Sequence, residues 1–241
     1  MKKARSKNAT QNPKVSHVAE NYLLSLYILN EEGVPVTLSN LAEYVKMLPA
    51  GEGLGTSLPS ITGMIRRMAR DSLVSTINKE THLTDKGLEL AEDMVRRHRL
   101  AERLLVDILD VDLHRAHIEA HRLEHAISPE LQEKIITLLR NPKTSPFGRP
   151  IPGSGHSSDI SNMLRLDQAN RSTTYLVERV PEEDEKLLEF LVKNKVLPKH
   201  EITTQDSAPY LGVITFITQD KQEVSIAFNV ASRIWVRPTI S

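Results

Sequence analysis

Five of the nine histidines in this 241-residue chain lie between positions 98 and 125: His98, His114, His117, His121 and His125. Read as helix, His98 and Glu102 are one turn apart on one face. His117, His121, Glu124 and His125 follow at i, i+4, i+7 and i+8 and share a second face. Imidazole and carboxylate at one-turn spacing is how a helix presents ligands to a divalent cation. Taken singly, each histidine reads as an ordinary solvated or hydrogen-bonded side chain. Taken together, two such clusters on consecutive predicted helices point to metal binding.

The chain has no cysteine, so neither a disulfide framework nor a thiolate site is available. Lys+Arg and Asp+Glu balance at 31 each, and this leaves nucleic-acid binding open because local charge distribution matters more than the sum. Residues 1–15 read as a disordered basic arm, with Lys2, Lys3, Arg5, Lys7 and Lys14 and no acid. Such an arm is either solvated or in contact with DNA phosphates. No apolar run reaches membrane-spanning length and no secretory signal is evident, so a cytoplasmic protein without a membrane partner is expected.

Apolar spacing predicts a helix from Ser16 to about Asn30, closed by Gly33 and Pro35, and a short helix after Thr37. Residues 46–58 hold Pro49, Gly51, Gly53 and Gly55 and read as a loop. A third helix begins near Ser57 and Pro59, with Ile61, Met64, Ile65 and Met68 inward and Ser60, Thr62, Gly63, Arg66, Arg67 and Arg70 outward. Leu73–Ile77, a turn at 78–80 and Thr81–Thr84 form a β-wing. Helix, helix, helix, wing is the order of a winged helix-turn-helix, with the short polar residues near base edges and the arginines near phosphates. The same pattern also describes protein-interaction modules, and the loop at 46–58 is long for this motif.

Further helices are expected to about residue 127, broken at Asp110–Asp112, with another after Ser128-Pro129. Their apolar faces exceed what one small domain buries, which suggests a homodimer. Residues 141–161 are rich in Pro, Gly and Ser and read as a linker or an extended ordered loop. Beyond 163, strands at 173–177, 210–217, 223–228 and 233–237 around one helix at 183–194 suggest a small β-barrel. There is no H-E-x-x-H, nucleophile elbow or phosphate-binding glycine loop, so an enzyme acting on a small-molecule substrate is not expected.

Four blocks carry a resemblance: Ser57–Val74 (SLPSITGMIRRMARDSLV), Arg97–Leu105 (RHRLAERLL), His117–His125 (HIEAHRLEH) and Ser145–Pro152 (SPFGRPIP). In this order they resemble the diphtheria-toxin-repressor or iron-dependent-regulator family of metal-dependent transcriptional repressors, well over about 16–155 and in architecture only beyond 163. The resemblance implies an α+β fold in three parts. These are a winged helix-turn-helix over 16–86, a helical dimerisation and metal-binding domain over 87–142, and, after a linker at 143–162, an SH3-like small β-barrel over 163–241. It implies an Fe²⁺- or Mn²⁺-activated repressor that binds a palindromic DNA operator as a homodimer, with two metal sites per chain. The ancillary site would be His98, Glu102 and His117, completed from the barrel by Glu182 and Glu183, with Glu178 an alternative. The primary site would be His121, Glu124 and His125, closed by Asn21 from the first helix. Ser57, Pro59, Ser60, Thr62 and Gly63 would approach bases, and Arg66, Arg67 and Lys79 phosphates. Two departures stand out: His121 replaces the family's cysteine or glutamate, and Asn21 its methionine or aspartate. The alternatives are a metal-binding interaction protein on a winged-helix scaffold, or less readily a metal-dependent hydrolase.

Overall fold

The computed structural model describes residues 15–48, 53–156, 160–205 and 212–239. The basic arm at 1–14 and the centre of the 46–58 loop lie outside the described residues. Three helices open the chain: α1 (His17–Glu31), α2 (Leu38–Met47) and α3 (Leu58–Arg70). Each starts on a hydroxyl cap that satisfies an amide the helix itself leaves unpaired: Ser16 accepts from Ala19 N, Thr37 from Asn40 N and Ser57 from Ser60 N. The wing follows as β1 (Val74–Ile77) antiparallel to β2 (Glu80–Leu83). Its two-residue turn, Asn78-Lys79, has φ of 50° and 69°, the twist that suits a tight hairpin. Gly55 marks a close approach, because a Cβ there would stand 1.8 Å from Ser60 Oγ, and its carbonyl accepts from Tyr22 Oη at 3.3 Å. The end of the long loop is thereby fixed against both α1 and the start of α3.

Helix α4 (Asp85–Asp107) serves two cores. Its first half sends Ala91, Met94 and Val95 into the core made by Tyr22, Leu26, Leu41, Ile61 and Ile65. Its second half sends Leu100, Ala101 and Leu105 into a core with Ala120, Ile127, Ile135 and Ile151. Helix α5 (Leu113–Leu123) runs into a 3-10 turn at Glu124–Ala126, and α6 (Pro129–Leu138) follows behind a Ser128 cap.

Of the two readings of 141–161, its described part is an ordered loop. Thr144 bridges to Pro150, Ser145 N donates to Arg149 O at 2.7 Å, and Phe147 and Ile151 are buried. Gly148, at φ 89°, lets this loop press on the sheet, since a Cβ would meet Glu178 O at 1.8 Å.

The C-terminal part is one antiparallel sheet in the order β3-β8-β4-β5-β6-β7, comprising β3 (Leu164–Arg165), β4 (Thr174–Arg179), β5 (Glu201–Thr204), β6 (Val213–Thr218), β7 (Glu223–Ala227) and β8 (Trp235–Pro238). Helix α7 (Glu185–Lys193) and the single turn α8 (Phe228–Ala231) accompany it. Burial alternates along β4 and β6, as a sheet packed on one face requires. Phe147 and Ala116 complete its core, so the loop and α5 are built into the sheet's apolar side. Strands β3 and β5 carry too few alternating residues to stand out in sequence. No helix among the described residues is long and apolar enough to cross a membrane.

Candidate metal centre

Helix α4 places His98 and Glu102 on its buried face, and α5 sets His117 and His121 opposite them. The 3-10 turn supplies Glu124, and the segment after β4 supplies Glu182. All six are at most 2% exposed. Unpaired, such a concentration of carboxylate and imidazole would be prohibitive in an apolar interior. His98 is its hub. Nε2 lies 2.9 Å from Glu102 Oε1 and 3.1 Å from His117 Nδ1, while Nδ1 faces Glu124 Oε2. His117 Nδ1 is also 3.1 Å from Glu102 Oε1. His121 Nδ1 is 3.3 Å from Glu124 Oε1.

Burial opposes charge on His98, but the Glu102 and Glu124 carboxylates outweigh it and raise its pKa well above the usual imidazole range. Burial works against Glu124 also, yet His98 and His121 hold its carboxyl down at about 2. His121 goes the other way: burial dominates the attraction of Glu124 and lowers its pKa to about 4. The flanking carboxylates thus favour the charged form of His98, and burial favours the neutral form of His121.

Ligand atoms of His98, Glu102, His117 and Glu182 lie within 4.8 Å of one another, as do those of His98, His117 and His121. Glu102 Oε2, His117 Nε2, His121 Nε2 and Glu182 Oε1 are buried with no hydrogen-bond partner among the described residues. Each such atom costs about 1–3 kcal/mol if nothing satisfies it. Nitrogen and carboxylate oxygen donors left open in one place fit a borderline divalent transition metal.

Glu182 and Glu183 part company. Glu182 joins the cluster, whereas Glu183 turns to Arg233 Nη2 at 2.9 Å and Arg149 Nη2 at 3.9 Å. Glu178 ion-pairs with Arg237 at 3.0 Å. The trio His121, Glu124 and His125 is spread along Glu124 Oε1, which His125 Nε2 approaches at 3.6 Å. The other nitrogen, His125 Nδ1, is 2.8 Å from Glu20 Oε2 on α1. Asn21 is fully buried in α1, and its carbonyl accepts from Ser25 Oγ.

Three residues were not singled out from the sequence. His17 and Glu20 stand at i, i+3 beside Asn21, a spacing that could have drawn attention. Arg149, in the ordered loop, lies within the Ser145–Pro152 block, but nothing local in the sequence marks it as a buried charge.

Away from the cluster, α3 shows Ser57, Pro59, Ser60, Gly63, Arg66 and Arg67 exposed along one side of the head, with Lys79 exposed at the wing tip. A Cβ at Gly63 would meet nothing within 4 Å. Thr62 is half-buried, and its hydroxyl donates to Leu58 O at 2.7 Å.

Comparison with known proteins places these features. The family description "Iron dependent repressor, metal binding and dimerisation domain" matches residues 84–153, the span of α4, α5, α6 and the ordered loop. The iron-dependent repressor IdeR of Mycobacterium bovis is 31% identical over 230 residues, covering 90% of this chain and 95% of that protein. The diphtheria toxin repressor of Corynebacterium glutamicum is 38% identical over 152 residues, 63% of this chain and 60% of its own. A manganese-dependent transcriptional repressor solved in complex with manganese superposes with a TM-score of 0.79 at 28% identity, over 92% of this chain and all of the other. The winged head, the buried His/Glu cluster and the near full-length match agree: the chain belongs to the iron-dependent repressor family.

Proposed function

We propose that the chain is a metal-dependent transcriptional repressor that binds DNA when Fe²⁺ or Mn²⁺ occupies the buried cluster. The observation that carries this reading is the set of open, buried donor atoms on His117, His121, Glu102 and Glu182, beside a helix that forms part of the winged head. The relatives' names point the same way, to iron- and manganese-dependent repressors.

His98, Glu102, His117 and Glu182 would hold one ion, and His121, Glu124 and His125, with Asn21 nearby, a second. A bound dication supplies positive charge in place of the His98 proton. His98 would have to give up that proton to ligate, and the Glu102 and Glu124 carboxylates, already anionic, would then face the ion in place of the imidazolium. Because α1 packs along α4 and also builds the head, fixing the cluster fixes the base of α3. Ligation thereby favours the head orientation that fits DNA, and DNA must tighten ion binding by the same factor.

On DNA, Ser57, Pro59, Ser60, Thr62 and Gly63 would line the base edges, with Arg66, Arg67 and Lys79 on phosphates. Exposed Ile108, Leu109, Leu131 and Leu138, at the end of α4 and on α6, offer apolar surface to a second copy. A two-fold dimer would read a palindrome. In this reading the chain is organised as head (16–86), helical unit (87–142), joining loop (143–162) and sheet unit (163–241), works in the cytoplasm and is not an enzyme.

A gel shift tests it, using a duplex selected by this protein from a random DNA pool in Mn²⁺ or, without oxygen, Fe²⁺. Binding that is lost on adding a chelator is expected. Equal binding with and without chelator refutes metal control.

A further inference from the structure

A cleft of about 610 Å³ opens between the winged head and the sheet unit. The head's wall is mostly apolar: Ile28 and Leu29 come from α1, Val34 from the segment after it and Met47 from α2. Tyr44, one turn before Met47, belongs to the same wall. The sheet unit supplies Arg165 of β3, Asp167 of the 3-10 turn that follows it, and Arg233 after α8. This is the size of a pocket that holds a small organic molecule. It is separate from the buried cluster, since none of the six His/Glu donors lines it.

Two polar groups of the cleft are unmatched. Tyr44 is 4% exposed, and its hydroxyl has no hydrogen-bond partner among the described residues. Asp167 Oδ1 is likewise buried and without one. Each is costly unless something in the cleft satisfies it. The positive charges, by contrast, are already paired. Arg149 Nε lies 2.9 Å from Glu182 Oε2, Arg165 Nη1 is 3.0 Å from Glu32 Oε2, and Arg233 Nη2 is 2.9 Å from Glu183 Oε2. Arg165 also donates to the carbonyls of Glu32 and Ser232. Among the described residues, the charge left to meet a ligand is therefore the Asp167 carboxylate, in a cleft whose other wall is apolar apart from one hydroxyl.

We propose that this cleft binds a small organic cation, a primary amine carried on an apolar ring or short chain. The ammonium group pairs with Asp167 in a charge-assisted hydrogen bond. The apolar body covers Ile28, Leu29 and Val34, and the Tyr44 hydroxyl takes a polar group of the same molecule. An anion fits less well, because the arginines accept it only by releasing Glu32 or Glu183 inside the same wall. A molecule seated here touches α1 and α2 on one side and the sheet unit on the other, so its binding holds the head against the sheet. The site uses no donor of the buried cluster and does not depend on what that cluster holds.

The test uses the full chain in chelator, with phenethylamine as the probe. Hydrocinnamate, which carries a carboxylate on the same phenylethyl body, is its anionic counterpart. Trp235 is the chain's single tryptophan. Its ring lies 3.9 Å from the Arg165 guanidinium and its Nε1 donates to Glu32 Oε2 at 3.4 Å, both in the cleft wall, so its emission reports occupancy. Phenethylamine should change that emission saturably, and hydrocinnamate should not. Asp167→Asn should weaken the amine about tenfold, and Tyr44→Phe by a smaller factor, with thermal melts close to the parent's. A cleft that holds only water gives no saturable change with the amine, and that result overturns the proposal. So does an equal response to the two probes, or an unchanged affinity in Asp167→Asn. With chelator present throughout, none of these outcomes bears on the metal reading of the buried cluster.

Discussion

Arg149 Nε lies 2.9 Å from Glu182 Oε2, and its Nη1 reaches Glu32 at 2.5 Å and Glu31 at 3.4 Å. One buried guanidinium therefore ties a carboxylate of the buried His/Glu cluster to the C-terminal end of α1 in the head. Glu31 is held in turn by Arg99, and Glu32 by Arg165, which lies 3.9 Å from the Trp235 ring. Removing Arg149 leaves several carboxylates buried without their counter-charge. Arg149→Met should destabilise the protein by about 3–5 kcal/mol, read from urea unfolding. In the surviving folded population, ion binding and DNA binding should be less strongly coupled than in the parent.

The proton on His98 makes a second expectation. Its pKa is raised well above the ordinary value by Glu102 and Glu124, which favours the charged form, and on the proposed reading it must deprotonate to ligate. Ion binding to the buried cluster should release about one proton at neutral pH. Calorimetry in buffers of different ionisation enthalpy measures it. Apparent affinity should fall about tenfold for each pH unit lost below neutrality, for each proton displaced.

His121 sets the sign of the ion-free protein's acid response. Its folded pKa, about 4, lies below the unfolded value of about 6.5, so between them the unfolded chain binds the extra proton. Stability from this group is present above pH 6.5 and is lost as pH falls toward 4. His98 has the opposite slope: its raised folded pKa gives stability that is full below about 6.5 and is lost as pH rises through the folded value. His121→Asn should flatten the acid limb of melting temperature against pH in chelator, leaving the alkaline limb in place.

The head's arginines should act without regard to sequence. Arg67→Ala should weaken binding to specific and random duplexes alike and reduce the slope of log affinity against log salt by about one. Ser60→Ala should instead change the preferred sequence at one position with little effect on the salt slope. Fluorescence anisotropy at several salt concentrations separates the two.

The winged head was legible because its caps and periodicities are local: Ser57 with Pro59 announces α3, and the alternation around Asn78-Lys79 announces the wing. The histidine helices were legible for the same reason. What sequence could not show is the partition of donors. His121 and Glu124 stand on one predicted face with His125, yet the chain tightens into a 3-10 turn at Glu124, and His125 swings toward α1. A change in helical pitch of this kind has no residue signature. Glu182 and Glu183 were adjacent candidates, and only packing against Arg149 and Arg233 separates them. Arg149 itself sits in a stretch whose proline and glycine content reads as a linker at 143–162, with an extended ordered loop as the other reading. Its role depends on Phe147 finding the sheet core, a contact between distant parts of the chain.

The four donors His98, Glu102, His117 and Glu182 come from α4, α5 and the segment after β4. With no cysteine, the chain has no disulfide to join these parts. On the proposed reading an ion at this point is a reversible cross-link, and its strength is set by concentration. At a hundredfold excess over its dissociation constant it adds about 2.7 kcal/mol to the folded state. Resistance to unfolding would then rise and fall with the same ion that governs DNA binding, so a cell short of metal would hold a repressor that is both silent and easier to degrade.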